Sequence, residues 1–304
     1  MHRRTLGLLL VVLGAALFGT LGIFGRVAPE VGLSVTGLLA PRFLVATATL
    51  WGYLWVTGRI EWVRGRALAV ELGLGVVYGI MSVAYFESLV WLSAGIAALL
   101  LFTYPVLVTV ASAVVLDEPV TVPKLLALVA AVAGVVAVLY GGPVEIAPLG
   151  VVLVGLASLC YTCYTMGTRA VMANVNPLIH ASYVFLGVSV TILAYGVATS
   201  SLSVPVTSDA WLLVAAITVV GTLLPMLLFT EGLVRVEAST ASIVSTSEPL
   251  TTVALGVVLL GEPMTLSIAL GAVLICTGVV LSSAAVERVI RRRLEGQLDN
   301  SSAT

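Results

Sequence analysis

Long apolar runs separated by short polar breaks dominate the pattern of this chain. Ten such runs can be drawn: Leu6–Gly25, Ser34–Thr57, Leu68–Trp91, Ala94–Leu116 and Lys124–Tyr140, then Pro148–Gly167, Leu178–Ser200, Ala210–Leu233, Ala238–Leu260 and Thr265–Ala285. Each is close to the roughly 20 residues that carry a helix across about 30 Å of hydrocarbon. The pattern predicts an all-α polytopic membrane protein with ten transmembrane helices. The first run is read as a retained helix, not a signal peptide. It is long for an h-region, lacks a clear small-x-small cleavage site and is followed by many more spans.

The runs are also written twice. Shifting the chain by 144 positions lays Tyr85–Leu139 on Phe229–Ser283 without a gap, and roughly 15 of the 55 pairs are identical. Glu87 falls on Glu231, Ala94 on Ala238, Pro105 on Pro249, Glu118-Pro119 on Glu262-Pro263 and Gly134 on Gly278. The chain therefore divides into a first five-helix repeat over 1–140, a second over 148–285, and a basic then polar tail over 286–304.

Composition names the solvent. Hydrophobic residues make up 60% and charged residues 10% of the chain, with a mean hydropathy of +1.17. Soluble domains average about 45–50% and about 25%, so too little polar surface exists to cover a globule in water. The lipid bilayer is the expected partner. A net charge of −1 gives no basic face for a nucleic acid. Loop charge then orients the helices. Arg3, Arg4, Arg59, Arg64, Arg66, Lys124, Arg169, Arg235, Arg288, Arg291, Arg292 and Arg293 fall on the side of the N-terminus, and Arg26 alone on the other. By the positive-inside rule both termini face the cytoplasm of a cell (plasma or inner) membrane. An odd number of spans per repeat inverts the second half relative to the first (5+5), an arrangement shared by many secondary transporters.

Each half resembles an EamA module of the drug/metabolite transporter superfamily. The resemblance is carried by Tyr85-Phe86-Glu87-Ser88-Leu89 and Phe229-Thr230-Glu231-Gly232-Leu233, a proline within the next span (Pro105, Pro249), an acidic turn (Asp117-Glu118-Pro119, Gly261-Glu262-Pro263) and a glycine-bearing last helix. The first two helices of each half match only by length, by Arg26 and Arg169, and by Arg42. The resemblance implies ten helices, cytoplasmic termini and export or exchange of small metabolites, often amino acids.

The residues carry their own reading beside it. Glu118 and Glu262 stand where a carboxylate satisfies free amides at a helix N-terminus. Pro105 and Pro249 are expected near mid-helix, as kinks that are either hinges or static packing features. Ionisable residues inside spans are costly and few: Arg42, Glu71, Glu87, Glu231 and Glu248. Glu71 is read as a solvated helix end. Glu87 and Glu231 serve either coupling or gating, or shared turn architecture. Ser245, Glu248 and Thr252 are placed on one helical face, with Glu248 binding a substrate amine or a proton, or serving as a buried hydrogen-bond partner. Its counterpart in the first half is Tyr104. Arg42 meets a substrate carboxylate or pairs with a glutamate, and the pairing is the expectation.

Aromatic and hydroxyl residues at helical spacing complete a substrate cavity: Tyr78, Ser82 and Tyr85; their counterparts Thr222, Met226 and Phe229; Ser158, Tyr161 and Thr165; and Phe18, the nearest equivalent of Tyr161. Tyr53 and Tyr140 are read as interfacial. Other motifs are set aside. Cys160 and Cys163 form a C-x-x-C inside an apolar helix with no second ligand pair. Two histidines, His2 and His180, make no H-E-x-x-H metal site, and no serine elbow or phosphate loop occurs. No catalytic residue, cofactor or metal is expected. The reading is a secondary transporter (permease or exporter) of small polar metabolites by alternating access, compatible with a monomer. An uncoupled facilitator or channel, or a non-transporting scaffold, stays open.

Overall fold

The computed structural model describes residues 2–115, 121–140, 146–171, 175–233, 235 and 244–282. Every regular element among them is helical: α1 (His2–Phe18), α2 (Leu21–Val27), α3 (Val35–Val56), α4 (Gly65–Ser88), α5 (Ala94–Leu101), α6 (Tyr104–Val115) and α7 (Val122–Tyr140). Then come α8 (Pro148–Val171), α9 (Pro177–Ala198), α10 (Ser208–Thr218), α11 (Leu224–Leu233), α12 (Ser247–Leu260) and α13 (Leu266–Ser282). Eight helical runs among the described residues are long and apolar enough to span a bilayer, and α12 and α13 are shorter apolar helices. Helices are forced here because each apolar run must pair its backbone amides and carbonyls within itself. Their starts are marked by short polar side chains: Ser34 accepts from the Gly37 amide at 3.0 Å and Asn176 from Leu178 at 2.9 Å. Glu118, the segment 236–243 and the tail 286–304 lie outside the described residues, as does the side chain of Arg169.

Small residues bring the helices together. A Cβ on Gly75 of α4 would stand 2.5 Å from the Val184 carbonyl of α9, and one on Gly187 would stand 2.7 Å from the Leu72 carbonyl. These two backbones touch, the close crossing that glycine permits in lipid. Gly134 of α7 and Gly271 of α13 make a second such crossing, with a Cβ on either meeting the other's carbonyl at 2.9 Å. The outward faces stay apolar: Val56 is 84%, Leu212 70% and Val152 66% exposed, as lipid-facing side chains should be.

Three long runs are not continuous helices. α1 stops at Phe18 and α2 starts at Leu21; α5 stops at Leu101 and α6 starts at Tyr104; a π turn at Val219–Leu223 separates α10 from α11. The proline expectation changes accordingly. Pro105 is the second residue of α6 and Pro249 the third of α12, so each sits in a first helical turn, where its missing amide costs nothing. They follow breaks instead of bending intact helices. Glu71 also departs from expectation. It is fully buried, its carboxylate 2.6 Å from Nδ1 of His180, because α9 packs against α4 at this level.

The acidic turn of the second half does cap a helix, one belonging to the first half. Glu262 Oε1 accepts from the Ala94 amide at 2.5 Å and Oε2 from the Gly95 amide at 3.0 Å, holding the first two amides of α5. A Cβ on Gly256 would press to 2.5 Å from the same Oε2, so glycine leaves room for the carboxylate. Charge-assisted amide bonds of this kind are strong, and they meet the positive end of the helix dipole. Replacing Glu262 by alanine is expected to lower stability by about 2 kcal/mol. Glu231→Ala, which removes an exposed pair with Arg235 one turn along the same strand of chain, is expected to change it by less than about 0.5 kcal/mol. Thermal unfolding of the two variants in one detergent checks the difference.

Candidate functional site

The helix interruptions converge on one cavity. An interrupted helix leaves carbonyls without intrahelical partners, and at membrane depth each must find a donor. Neighbouring hydroxyls supply them. Thr252 Oγ1 of α12 donates to the Gly19 carbonyl at 2.8 Å. Ser158 of α8 reaches the Leu100 and Leu101 carbonyls at 3.1 and 2.9 Å, and Thr103 donates to Leu100 at 2.8 Å. In the π turn, Thr222 donates to Ile217 at 3.0 Å. Gly19 and Gly22 let α12 come this close: a Cβ on Gly19 would lie 2.6 Å from the Glu248 carbonyl, and one on Gly22 would meet Thr252 and the Tyr85 hydroxyl at 3.0 Å.

The cavity so enclosed offers about 80 Å³ of space for water centres. Since one water needs about 10–15 Å³ by that measure, it holds several waters or the polar part of a small solute. Of the residues singled out in the sequence, Phe18, Arg42, Tyr78, Ser82, Tyr85, Tyr161, Glu248, Pro249 and Thr252 line it. Arg42 is buried. Its Nε donates to Thr222 Oγ1 at 2.8 Å, and its guanidinium lies 4.6 Å from the Phe43 ring centre and 5.6 Å from that of Phe86. The expected glutamate pairing is not made: no described carboxylate lies within ion-pair distance of Arg42. Glu248 stands in the first turn of α12, and among the described residues its carboxylate makes no hydrogen bond or ion pair. A cation and a carboxyl thus face one small space without neutralising each other through a direct bond.

Tyrosines form the wall between them and α8. Tyr104 and Tyr161 have ring centres 4.1 Å apart, Tyr78 and Tyr161 6.2 Å, and Tyr78 and Tyr164 4.8 Å. Tyr104 therefore stands behind Tyr161. The other expected residues lie off the cavity. Ser158 is spent on the broken helix, and Thr165 bonds the Tyr161 carbonyl of its own helix at 2.7 Å. Phe229 packs edge-on against Phe18 at 6.5 Å, and Thr222 acts through Arg42. Ser245 sits in the turn before α12, its carbonyl accepting from the Glu248 amide at 3.0 Å, so it does not continue the Glu248–Thr252 face. Glu87 accepts from the Tyr195 hydroxyl at 3.2 Å near the end of α4, and Glu231 pairs with Arg235. Neither lines the cavity. Met81, Phe86, Leu101 and Phe102 line it and were missed, because apolar lining has no mark that separates it from core.

A chain of membrane-length helices, several interrupted around an internal cavity of mixed apolar and polar lining, defines a multi-pass membrane protein. It belongs to the EamA-like transporter family, whose model matches residues 5–140 and again 148–284. Two proteins of Archaeoglobus fulgidus, both described as uncharacterized transporters, are similar to it. One is 26% identical over 267 residues, covering 86% of this chain and 90% of its own; the other is 28% identical over 273 residues, covering 90% and 94%. A protein known from a crystal structure shares the fold at 19% identity with a TM-score of 0.65, covering 91% of this chain and 97% of its own.

Side-chain access follows from this geometry. In a chain whose three cysteines are replaced by serine, Phe18→Cys, at a half-buried position on the cavity wall, is expected to react with a small charged thiosulfonate reagent. Ser189→Cys, buried between α3 and α9 where the serine bonds the Phe185 carbonyl at 2.8 Å, is expected to stay unreacted. Mass spectrometry of both after equal exposure checks the cavity against the helix interface.

Proposed function

We propose that this protein is a secondary transporter, a permease or exporter, of a small polar metabolite, with an amino acid or close analogue as the substrate class. The observation that carries the reading is Arg42 and Glu248 lining one cavity of a few waters' volume without a direct bond between them. A zwitterion supplies the missing partners. Its carboxylate meets the donors of the guanidinium's terminal nitrogens, and its ammonium meets the Glu248 carboxylate. Tyr78, Tyr85 and Tyr161 close the remaining sides with rings that carry hydroxyls. Membership of the transporter family supports movement of the solute across the membrane.

Transport by alternating access requires the site to open to each side in turn. The reading takes the chain as ten spans in two inverted five-helix repeats, over 1–140 and 148–285, with both termini cytoplasmic in the cell membrane. The interruptions at Gly19–Thr20, at Phe102–Thr103 and before Pro249 are where short half-helices can turn without breaking their own hydrogen bonds. Glu248 serves in one state as the substrate's ammonium partner and in the other as the holder of a proton, which joins substrate movement to a pH gradient. Each exchange moves only an O–H proton, so no further cofactor is needed.

Counterflow in proteoliposomes loaded with a panel of amino acids and related metabolites tests this. Saturable exchange of one class is expected. In Glu248→Gln, flux is expected to lose its dependence on an imposed pH gradient. In Arg42→Lys, which keeps the charge but loses the planar fork, substrates bearing a carboxylate are expected to bind roughly tenfold more weakly, about 1.4 kcal/mol. Flux that never saturates would replace the carrier by a facilitator, and absence of flux across the panel would favour a scaffold.

A further inference from the structure

The buried pair Glu71–His180 has no part in the cavity, yet its Glu71 is the most deeply enclosed titratable side chain described. Glu71 is 0% and His180 3% exposed. Glu71 Oε2 lies 2.6 Å from His180 Nδ1, and His180 Nε2 lies 3.2 Å from Thr168 Oγ1 of α8. Glu71 Oε1 is buried with no hydrogen-bond partner. A carboxylate oxygen left bare inside the bundle is costly, and a proton or a water at that oxygen would relieve it.

The pair is the end of a polar seam. Glu71 and Tyr78 are seven residues apart on α4 and share a face, with a separation of roughly 10 Å along the axis. On α8, Thr168, Tyr164 and Tyr161 share the face opposite. The Tyr164 ring stacks on the His180 imidazole at 6.3 Å and 21° and reaches Tyr78 at 4.8 Å. Tyr78 and Tyr161 line the cavity with Glu248. Among the described residues the titratable groups facing the pair are thus Tyr164 from α8 and Tyr78 beyond it, while Tyr183, one turn along α9, is turned to Trp51 and the Val63 amide. α3, also packed on α9, carries only Arg42, turned to the cavity, and the exposed Tyr53. The seam has no copy in the other half: continuing the 144-residue offset places Ala215 opposite Glu71.

We propose that Glu71 and His180 form a second proton-binding site, joined to the Glu248 cavity by the tyrosines between them. The proposal rests on the transport reading for its use and on the geometry above for its existence. Before loading, a neutral imidazole donates its Nδ1–H to the Glu71 carboxylate, and the pair carries one negative charge. Loading adds one proton, which forms an N–H bond at Nε2 beside Thr168, makes His180 an imidazolium and leaves the pair neutral. Unloading breaks the same N–H bond and restores the neutral imidazole. The close Gly75–Gly187 crossing, one turn from Glu71, keeps α4 and α9 together while this happens.

The test uses the full chain in lipid nanodiscs, labelled with ¹⁵N-histidine and observed by NMR, with His2→Gln assigning the two histidines. The His180 ring is expected to pass from the neutral to the doubly protonated form as the medium is acidified. Glu71→Gln is expected to displace that change by at least about one pH unit, and Glu248→Gln by a smaller, resolvable amount. Tyr164→Leu is expected to abolish the effect of Glu248→Gln, while Tyr164→Phe, which keeps the ring, preserves part of it. A ring that holds one state throughout the titration, or a change that Glu71→Gln leaves in place, would overturn the site. Indifference to Glu248→Gln would overturn its link to the cavity. No substrate is present, so the site can fail while counterflow succeeds, and the reverse.

Discussion

In hydrocarbon an unpaired backbone carbonyl has no water to turn to, and this constraint shapes the centre of the molecule. A helix can be interrupted there only where a neighbouring side chain donates to what the break exposes. Thr252 does so for Gly19, and Ser158 for Leu100 and Leu101. Thr222 does so within its own π turn and still accepts from Arg42. Each repair needs the donor helix close by, and each close approach leaves room around it for a cavity. The breaks, the hydroxyls and the cavity are therefore one arrangement. Removing a hydroxyl would do more than lose a contact, since the orphaned carbonyl would favour closing the break into plain helix.

Much of the architecture was legible in the sequence because lipid makes simple demands. Apolar runs near twenty residues mark the helices, and where the described residues show a helix end it lies within about a turn of the expected one in most cases. What one dimension does not hold is depth relative to neighbours. Glu71 lies six residues into α4, where spacing alone suggests a wet helix end. Its fate was decided by α9, which brings His180 to it and seals both. Arg42 was expected to seek a glutamate because a buried charge needs a partner. Thr222 and the faces of Phe43 and Phe86 stabilise the guanidinium instead, and aromatic faces near an arginine cannot be read from spacing alone. The prolines were legible as breaks in regularity, but whether a proline bends a helix or begins one depends on which carbonyls its neighbours satisfy.

The candidate site shows the same division. The stripe Tyr78–Ser82–Tyr85 follows helical spacing and does reach the cavity, as do Glu248 and Thr252 one turn apart on α12. Ser158 and Thr165 share a stripe with Tyr161 and differ from it in use, because hydroxyls on an intramembrane helix are drawn first to backbone carbonyls. Bulky tyrosines have no such local outlet, which is why the ring of Tyr161 is the member left to face the cavity.

The duplication sharpens the point. Glu248 and Tyr104 are equivalent positions, each one residue before the equivalent prolines, yet one lines the cavity and the other stands behind a tyrosine. Arg42 is held by Thr222 of the other half, Glu248 sits at the start of a helix packed on Gly19 of the first, and Glu262 caps α5 across the same boundary. The charged groups of the site are thus positioned by contacts between the halves, so a movement of one half against the other changes how the guanidinium and the carboxyl are presented. A pocket formed within a single half would be carried along unchanged by such a movement. Contacts across the boundary would pass such a movement on to this one, which is the property a site needs if binding and conformational change are to be linked.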